Sequence, residues 1–207
     1  MRSVYTDMSS YSDTGTVVHE IAANSRDTHH FSLLFNRAPR HFLFDMHKQN
    51  DDRMVVWGDP DAFHVWWKTT QQTTDYPNPK NTAAISLSDY PTVGAISKIP
   101  VLLYSKANMS GALTHFEPDT TLVTEPIMGH ACFRLNGTTS DVYAQSGKQV
   151  NVRKLTVWID TQTYLVRQVL EDAPAAPGML DRTTTTFDPT PTPTIPADKF
   201  NFTPPKK

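Results

Sequence analysis

The sequence lacks several features that would indicate particular classes of protein. It has a single cysteine, Cys132, so neither an internal disulfide nor a multi-cysteine zinc site can form. This residue lies in an apolar run and is expected to be a buried structural thiol. No apolar run approaches the roughly 18–20 residues of a transmembrane helix. The formal net charge is −2 and basic residues do not cluster, so a nucleic-acid partner is not expected.

Motifs for catalysis and for cofactors are also missing. There is no nucleophile elbow, phosphate loop or dinucleotide fingerprint. The eight histidines do not show metalloprotease spacing. We therefore expect no metal, no cofactor and no enzymatic activity. A periplasmic enzyme that uses histidine or aspartate residues is kept as the weakest alternative, with His41, His47 and His64 as its candidate histidines.

The sequence does contain many short, alternating segments rich in aromatic and β-branched residues, which are typical of antiparallel strands. The predicted strands are 14–22, 30–36, 41–48, 53–57, 63–69, 127–135, 150–160, 164–172 and 181–187. Residues 70–82 are predicted to form a polar loop. The proline-rich stretch 188–196 is expected to be extended but not a central strand.

Helical spacing occurs in two places. Residues 1–8 are predicted to be the end of a helix, because Val4 and Met8 lie four positions apart. A second helix is predicted up to Ile99, and Pro100 is expected to separate it from a short helix with the sequence Val-Leu-Leu-Tyr.

One face of the predicted sheet is apolar and unusually aromatic. Period-two alternation places Phe31, Leu33, Phe35, Phe42, Phe44 and Met46 on it, and later strands add Ile127, Ala131, Phe133, Leu135, Leu155, Val157 and Ile159. Arg153 and Trp158 are predicted on the opposite face. A sheet of eight or more strands twists and curls, so this face must be covered. Alternation alone favours an ordinary filled core over a ligand cavity.

Several motifs, in order, resemble those of the LolA/LolB-like periplasmic lipoprotein carriers. They are Tyr11-Ser12-Asp13 before Gly15, Phe35-Asn36-Arg37-Ala38-Pro39, Trp57-Gly58-Asp59 with Trp66, Pro100-Val101-Leu102-Leu103, Leu155-Thr156-Val157-Trp158-Ile159-Asp160, and the C-terminal segment 196–205. The last of these is the most specific.

The resemblance implies one mainly β domain over 1–207, an α+β fold in which a curved antiparallel sheet forms an open half-barrel covered by a few short helices. Most of the first helix of the family is missing from the N-terminal part of this sequence. The implied function is non-catalytic binding of a lipid or a lipoprotein acyl chain, by a monomeric carrier or sensor in the periplasm, although the first residues show no signal peptide. The alternative is an interaction module or accessory subunit of an envelope complex, with a filled core.

The resemblance also implies a set of site residues. The cavity would be lined by Phe31, Leu33, Phe35, Phe42, Phe44, Met46, Val65, Trp67, Val93, Ile96, Leu102, Leu103, Phe133, Leu135, Leu155 and Val157. In the carriers, an arginine directly before the turn proline helps to hold the lid on the sheet. Here Ala38 intervenes, so Arg37 is the first candidate for this latch and Arg40 the second.

Overall fold

The described residues form two short α-helices, a 3-10 helix and twelve strands. The computed structural model describes residues 1–22, 25–48, 51–58, 62–77, 98–104, 111–142, 149–176, 179 and 181–205. The helices are α1 (Arg2–Asp7), α2 (Ile99–Leu103) and the 3-10 helix Ala197–Phe200. The strands are β1 (Ser10–Ala22), β2 (Ser25–Arg37), β3 (Arg40–Lys48), β4 (Arg53–Gly58), β5 (Ala62–Trp67), β6 (Gln72–Pro77), β7 (Glu117–Ile127), β8 (His130–Val142), β9 (Gln149–Asp160), β10 (Val166–Asp172), β11 (Arg182–Phe187) and β12 (Thr190–Pro191).

All twelve strands belong to one sheet, whose paired strands run antiparallel. The order is β6-β5-β4-β3-β2-β1-β11-β10-β9-β8-β7, and β12 pairs with the start of β1. Strands β1–β6 form one meander and β7–β11 a second, and β1 joins β11 in the middle. In the described part of the chain β6 and β7 end this path, so the sheet is open. The predicted fold class is confirmed.

Alternation along the strands gives the sheet two different faces. On β2 the buried side chains recur at every second residue from His29 to Phe35, and on β3 from Phe42 to Met46. Phe31 pairs with Met46 and Leu33 with Phe44, so these rows continue across the sheet. We call the face that carries these side chains the inner face. Its prediction from period-two alternation is confirmed for β2 and β3.

The outer face of β3–β5 is covered by the C-terminal segment. Phe202 contacts the rings of Trp57 and Trp66, with centroid distances of 5.0 and 5.5 Å. Phe200 stacks on His41 at 5.4 Å. The motif that gives the most specific resemblance therefore packs on the sheet and does not form part of the inner face.

Three predictions about the strands were wrong. Residues 72–77 form β6, although 70–82 was predicted to be a loop. Thr73, Thr74 and Asp75 are all exposed, so this edge strand shows no apolar alternation from which it could be predicted. Strand β7 was not predicted, because the strand predicted at 127–135 corresponds to β8, which begins at His130. Arg153 lies on the inner face, because it is two residues from Leu155 and bonds to Glu171, whose strand partner is Leu155.

The helical predictions have a mixed outcome. The predicted N-terminal helix is confirmed as α1. Helix α2 begins at Ile99, so Pro100 lies in its first turn. Ile99 and Pro100 therefore belong to the same helix, and Pro100 does not separate Ile99 from the short helix as predicted. The helix that was predicted before Pro100 lies outside the described residues as far as residue 97.

A side chain at Gly15 is expected to be unfavourable, because the backbone of Thr186 on β11 and the ring of Phe31 on β2 lie directly against this position. A Cβ atom there would lie 2.1 Å from the carbonyl oxygen of Thr186 and 2.5 Å from Cζ of Phe31. Gly15→Ala should therefore lower the free energy of unfolding by about 2–3 kcal/mol through overpacking. Urea denaturation measures this, with Thr14→Ala at the neighbouring exposed position as the control. An unchanged midpoint in Gly15→Ala would show that β1 can move away from Phe31.

Candidate functional site

The inner face of β2, β3 and β5 carries a group of aromatic rings around Tyr104, the residue that follows α2. The centroid of the Tyr104 ring is 5.4 Å from that of Phe35, 6.0 Å from that of Phe42 and 5.8 Å from that of Phe63. All three pairs meet edge to face, the geometry that aromatic pairs favour. We call these four residues the aromatic cluster. It fixes the C-terminal end of α2 on the sheet.

Most of the predicted cavity residues are brought together, but as a packed core. The buried ones are Phe31, Leu33, Phe35, Phe42, Phe44, Met46, Val65, Leu102, Leu103, Leu155 and Val157. Trp67, Phe133 and Leu135 are partly exposed, and Val93 and Ile96 lie outside the described residues. A cleft at one end of the inner face, next to Met46 and Trp67, has a volume of about 40 Å³. Pockets for drug-sized ligands measure roughly 300–1,000 Å³, so this cleft is too small for an acyl chain.

Two short helices cover the apolar inner face. Helix α1 has six residues and places Tyr5, which is fully buried, against the sheet. Helix α2 has five residues, and all of them are buried. We call these two helices the cover. Isolated helices of this length are unstable in water, so packing and a few polar contacts must hold the cover in place.

Arg37, at the end of β2, bonds to both helices of the cover. Its Nε donates to the carbonyl oxygen of Met8 at 2.7 Å, and its Nη2 donates to those of Tyr5 at 3.2 Å and Leu103 at 3.1 Å. The carbonyl groups at a helix C-terminus are unsatisfied within the helix and carry partial negative charge. One guanidinium therefore neutralises the ends of both helices and ties them to the sheet.

Arg40 lies beside this junction but contacts it differently. Its guanidinium carbon is 5.8 Å from the centroid of the Tyr104 ring, while that of Arg37 is 5.2 Å from the Phe35 ring. Such cation–π contacts are weaker than the hydrogen bonds that Arg37 makes to three carbonyl groups. Of the two candidates from the sequence, Arg37 is the one with hydrogen bonds to the cover.

The start of α2 is held by a buried ion pair. Lys98 immediately precedes the helix and is only 1% exposed, and its Nζ lies 3.4 Å from Oε2 of Glu171 on β10. Arg153 donates to the other oxygen of Glu171 at 2.7 Å. Burial lowers the pKa of Lys98, while the Glu171 carboxylate favours its charged form. Helix α2 is thus fixed by charged groups at both ends.

A buried polar chain anchors α1. The Tyr5 hydroxyl accepts a hydrogen bond from the Val166 amide at 2.9 Å, and the Tyr11 hydroxyl donates to the Asp13 carboxyl at 2.7 Å. The Tyr5 and Tyr11 rings meet edge to face at 5.6 Å. Burial raises the pKa of Asp13 to about 8, so this carboxyl is mainly protonated at neutral pH.

Sequence reasoning missed several of these groups. Tyr104 was predicted on the short helix, but it was not included among the predicted cavity residues. Lys98 and Glu171 gave no signal, because they lie 73 positions apart in the sequence and a lone lysine beside a helix is normally exposed.

The histidines predicted as the weakest alternative do not converge. His47 lies 3.1 Å from a carboxylate oxygen of Asp45, His64 is hydrogen-bonded to Asp75 at 2.7 Å, and His41 stacks on Phe200. Among the described residues no three His, Cys, Asp or Glu side chains are placed to hold a metal ion. Cys132 is buried, as predicted. None of the helices in the described part of the chain is both long and apolar enough to cross a membrane.

Comparison with solved structures returns matches that cover nearly the whole chain at low sequence identity. The lipoprotein LppX of Mycobacterium tuberculosis is 11% identical, with a TM-score of 0.48 over 95% of this chain and 93% of that one. A LolA superfamily protein from Nitrosomonas europaea is 9% identical, with a TM-score of 0.43 over 97% and 94%. An outer membrane lipoprotein-sorting protein domain from Vibrio parahaemolyticus is 11% identical, with a TM-score of 0.40 over 97% and 93%. No protein-family model and no curated protein matches the sequence. At these identities the likeness concerns the fold alone and not the function.

Proposed function

We propose that the protein binds an apolar chain, such as the acyl chain of a lipid or lipoprotein, between the inner face and the cover, without catalysis. It acts as a carrier or sensor in the bacterial cell envelope, in the periplasm, as a monomer. The ligand enters when the cover moves away from the sheet. The predicted cavity residues on β2, β3, β5, β8 and β9 then line the binding surface.

The convergence of both short helices on Arg37 supports this proposal most directly. The hydrogen bonds from Arg37 can break together when the cover opens, and the guanidinium can then be solvated. Opening would expose the aromatic cluster and the rings of β2 and β3. Uncovered aromatic surface costs roughly 25 cal/mol per Å², which an acyl chain can offset by covering the same surface.

The first experiment asks whether the protein retains lipid. Native mass spectrometry and lipid extraction after gentle purification should detect a bound acyl chain, and the delipidated protein should take up a fluorescent fatty acid. A lipid-free protein that also ignores the probe contradicts the proposal.

Replacing Arg37 with methionine should make the cover easier to open. Hydrogen bonds to a charged group contribute about 1.5–3 kcal/mol each, and the open state recovers part of this through hydration. If about 2 kcal/mol of net stabilisation is lost, the open fraction rises roughly 30-fold and probe uptake accelerates similarly. Stopped-flow fluorescence with the fatty-acid probe measures the rate.

Arg40→Met is the matched control, because it removes a neighbouring guanidinium without removing a hydrogen bond to the cover. Arg37→Lys restores the charge but not the fork, and should give an intermediate rate. Equal acceleration in Arg37→Met and Arg40→Met would contradict a latch at Arg37.

The dense packing of the inner face favours a second candidate function, an interaction module or accessory subunit of an envelope complex. In that case the described core stays filled and the partner binds elsewhere on the surface. Specific capture of a membrane protein, together with failure of all lipid probes, would favour this function.

A further inference from the structure

The cleft at the end of the inner face has an unusual set of side chains. It is lined by His29, Met46, Lys48, Asp52, Arg53, Met54 and Trp67, and its volume is about 40 Å³. A space of roughly 10–15 Å³ already holds a water molecule, so a bare metal ion fits here.

His29 lines this cleft without a hydrogen bond at either ring nitrogen, although it is 98% buried. Its Nε2 lies 3.3 Å from Oδ2 of Asp27, which is within ion-pair distance, but the geometry is not that of a hydrogen bond. A buried polar group without a hydrogen bond destabilises the fold, so His29 invites a functional explanation. A neutral imidazole has a lone pair on one ring nitrogen that can bind a metal ion.

Two thioethers reach the same cleft from the neighbouring strands. Met46 on β3 and Met54 on β4 are direct partners across the antiparallel pair, and both are buried. Opposed side chains have Cβ atoms about 4.5–5.5 Å apart. His29 pairs with Lys48, two residues from Met46, so it is the diagonal neighbour of Met46 on the inner face. Three adjacent strands thus bring one imidazole and two thioethers together.

Sulfur ligands of this kind select soft ions. Thioether sulfur favours Cu(I), and imidazole also suits copper, whereas hard cations such as Mg²⁺ and Ca²⁺ favour oxygen. Of the two cationic side chains at the cleft, Lys48 is paired with Asp27 at 2.8 Å and Arg53 with Asp45 at 2.6 Å. These pairs offset the positive charges that would otherwise oppose a cation.

We infer that this cleft is a binding site for a soft monovalent cation of the Cu(I) class, with one ring nitrogen of His29 and the sulfur atoms of Met46 and Met54 as ligands. Trp67 forms a wall of the site and can place its ring beside the ion. The site contains two methionines and one histidine, so it differs from the His, Cys, Asp and Glu clusters considered above. The inference goes beyond the proposed binding of an apolar chain.

Silver(I) is the probe for this site, because it shares the ligand preference of Cu(I) and does not change oxidation state in air. All proteins carry Cys132→Ser, since a thiolate would itself bind silver. Native mass spectrometry should show one bound ion per chain. Loss of both thioethers in Met46→Leu/Met54→Leu should weaken binding by about 100-fold or more in competition with a chelator, since even groups that only orient a ligand contribute 10–100-fold.

The controls separate ligand loss from damage to the fold. Leucine has nearly the volume of methionine, so the fold should persist, and circular dichroism checks this. Met128→Leu removes an exposed thioether and should leave the affinity unchanged. If the double variant does not fold, Met46→Leu and Met54→Leu alone decide, with at least a tenfold loss expected for each.

Unchanged silver affinity in the folded methionine variants, or no bound ion in the parent protein, overturns the inference. Arg37→Met should retain silver binding, because Arg37 lies eight residues along β2, roughly 27 Å from His29. Failure of the proposed lipid binding and failure of the metal site are therefore distinguishable.

Discussion

Replacement of Glu171 by glutamine is expected to lower the free energy of unfolding by about 3–5 kcal/mol, because it removes the counter-charge of the buried Lys98. Lys98 is 1% exposed and its Nζ lies 3.4 Å from the Glu171 carboxylate. Arg153 donates to the same carboxylate, so the variant would leave two positive charges facing a neutral amide. Urea denaturation at pH 7 gives the change.

A double-mutant cycle isolates the pair. Lys98→Met alone removes the buried charge and keeps the Arg153–Glu171 bond, so it should cost less than Glu171→Gln. The double variant should then lose less stability than the two single variants lose together, with a coupling energy above about 1 kcal/mol. Glu117→Gln, at an exposed position on the edge strand β7, is the control. A coupling energy near zero would show that the contact between Lys98 and Glu171 does not stabilise the fold.

The same pair bears on how the cover opens. Lys98 holds the start of α2, and Arg37 holds its last carbonyl group at Leu103. Weakening either end makes separation of α2 from the sheet easier, but only Arg37 also releases α1. Glu171→Gln should therefore accelerate probe uptake less, for each kcal/mol of stability lost, than Arg37→Met.

The sequence predicted the fold where one face of a strand is buried and the other is not. The rows Phe31-Leu33-Phe35 and Phe42-Phe44-Met46 repeat at every second residue, and the period alone places them on one face. Strand β6 was missed because its residues 73–75 are all exposed, so burial imposes no alternation on it. Arg153 was misplaced although its spacing from Leu155 is even, because a charged residue was assumed to face the solvent.

The candidate site was predictable in composition but not in packing. The apolar cavity residues could be named from alternation and resemblance, and Arg37 from the turn that follows it. Whether they enclose a space or fill it depends on how α1 and α2 dock. That docking is determined by contacts between residues far apart in sequence, such as Tyr5 with Val166 and Arg37 with Leu103.

The stability of the protein should fall as the pH rises from 5 to 8 because of Asp13, and Asp13→Asn should remove this fall. Asp13 is 3% exposed, and burial raises its pKa from 3.8 to about 8. Below about pH 4 the carboxyl is protonated in both states and contributes no pH dependence. Between these pKa values only the folded state keeps the proton, so each pH unit lowers the free energy of unfolding by about 1.4 kcal/mol.

The measurement is the difference in unfolding free energy between Asp13→Asn and the unmodified protein at several pH values. Asparagine stands in for the protonated carboxyl, so the difference should move in favour of the variant by about 4 kcal/mol between pH 5 and 8. Taking the difference cancels other groups whose titration is independent of Asp13. Asp188 is not independent, because its charge also raises the pKa of Asp13; Asp188→Asn should therefore shift the midpoint of the effect to lower pH. Asp198→Asn makes the same chemical change at an exposed position and is the matched control.

A difference that stays constant with pH in Asp13→Asn would mean that Asp13 is ionised in the folded protein. The hydrogen bonds from the Tyr11 hydroxyl and the Asp188 amide would then outweigh the cost of burying its charge.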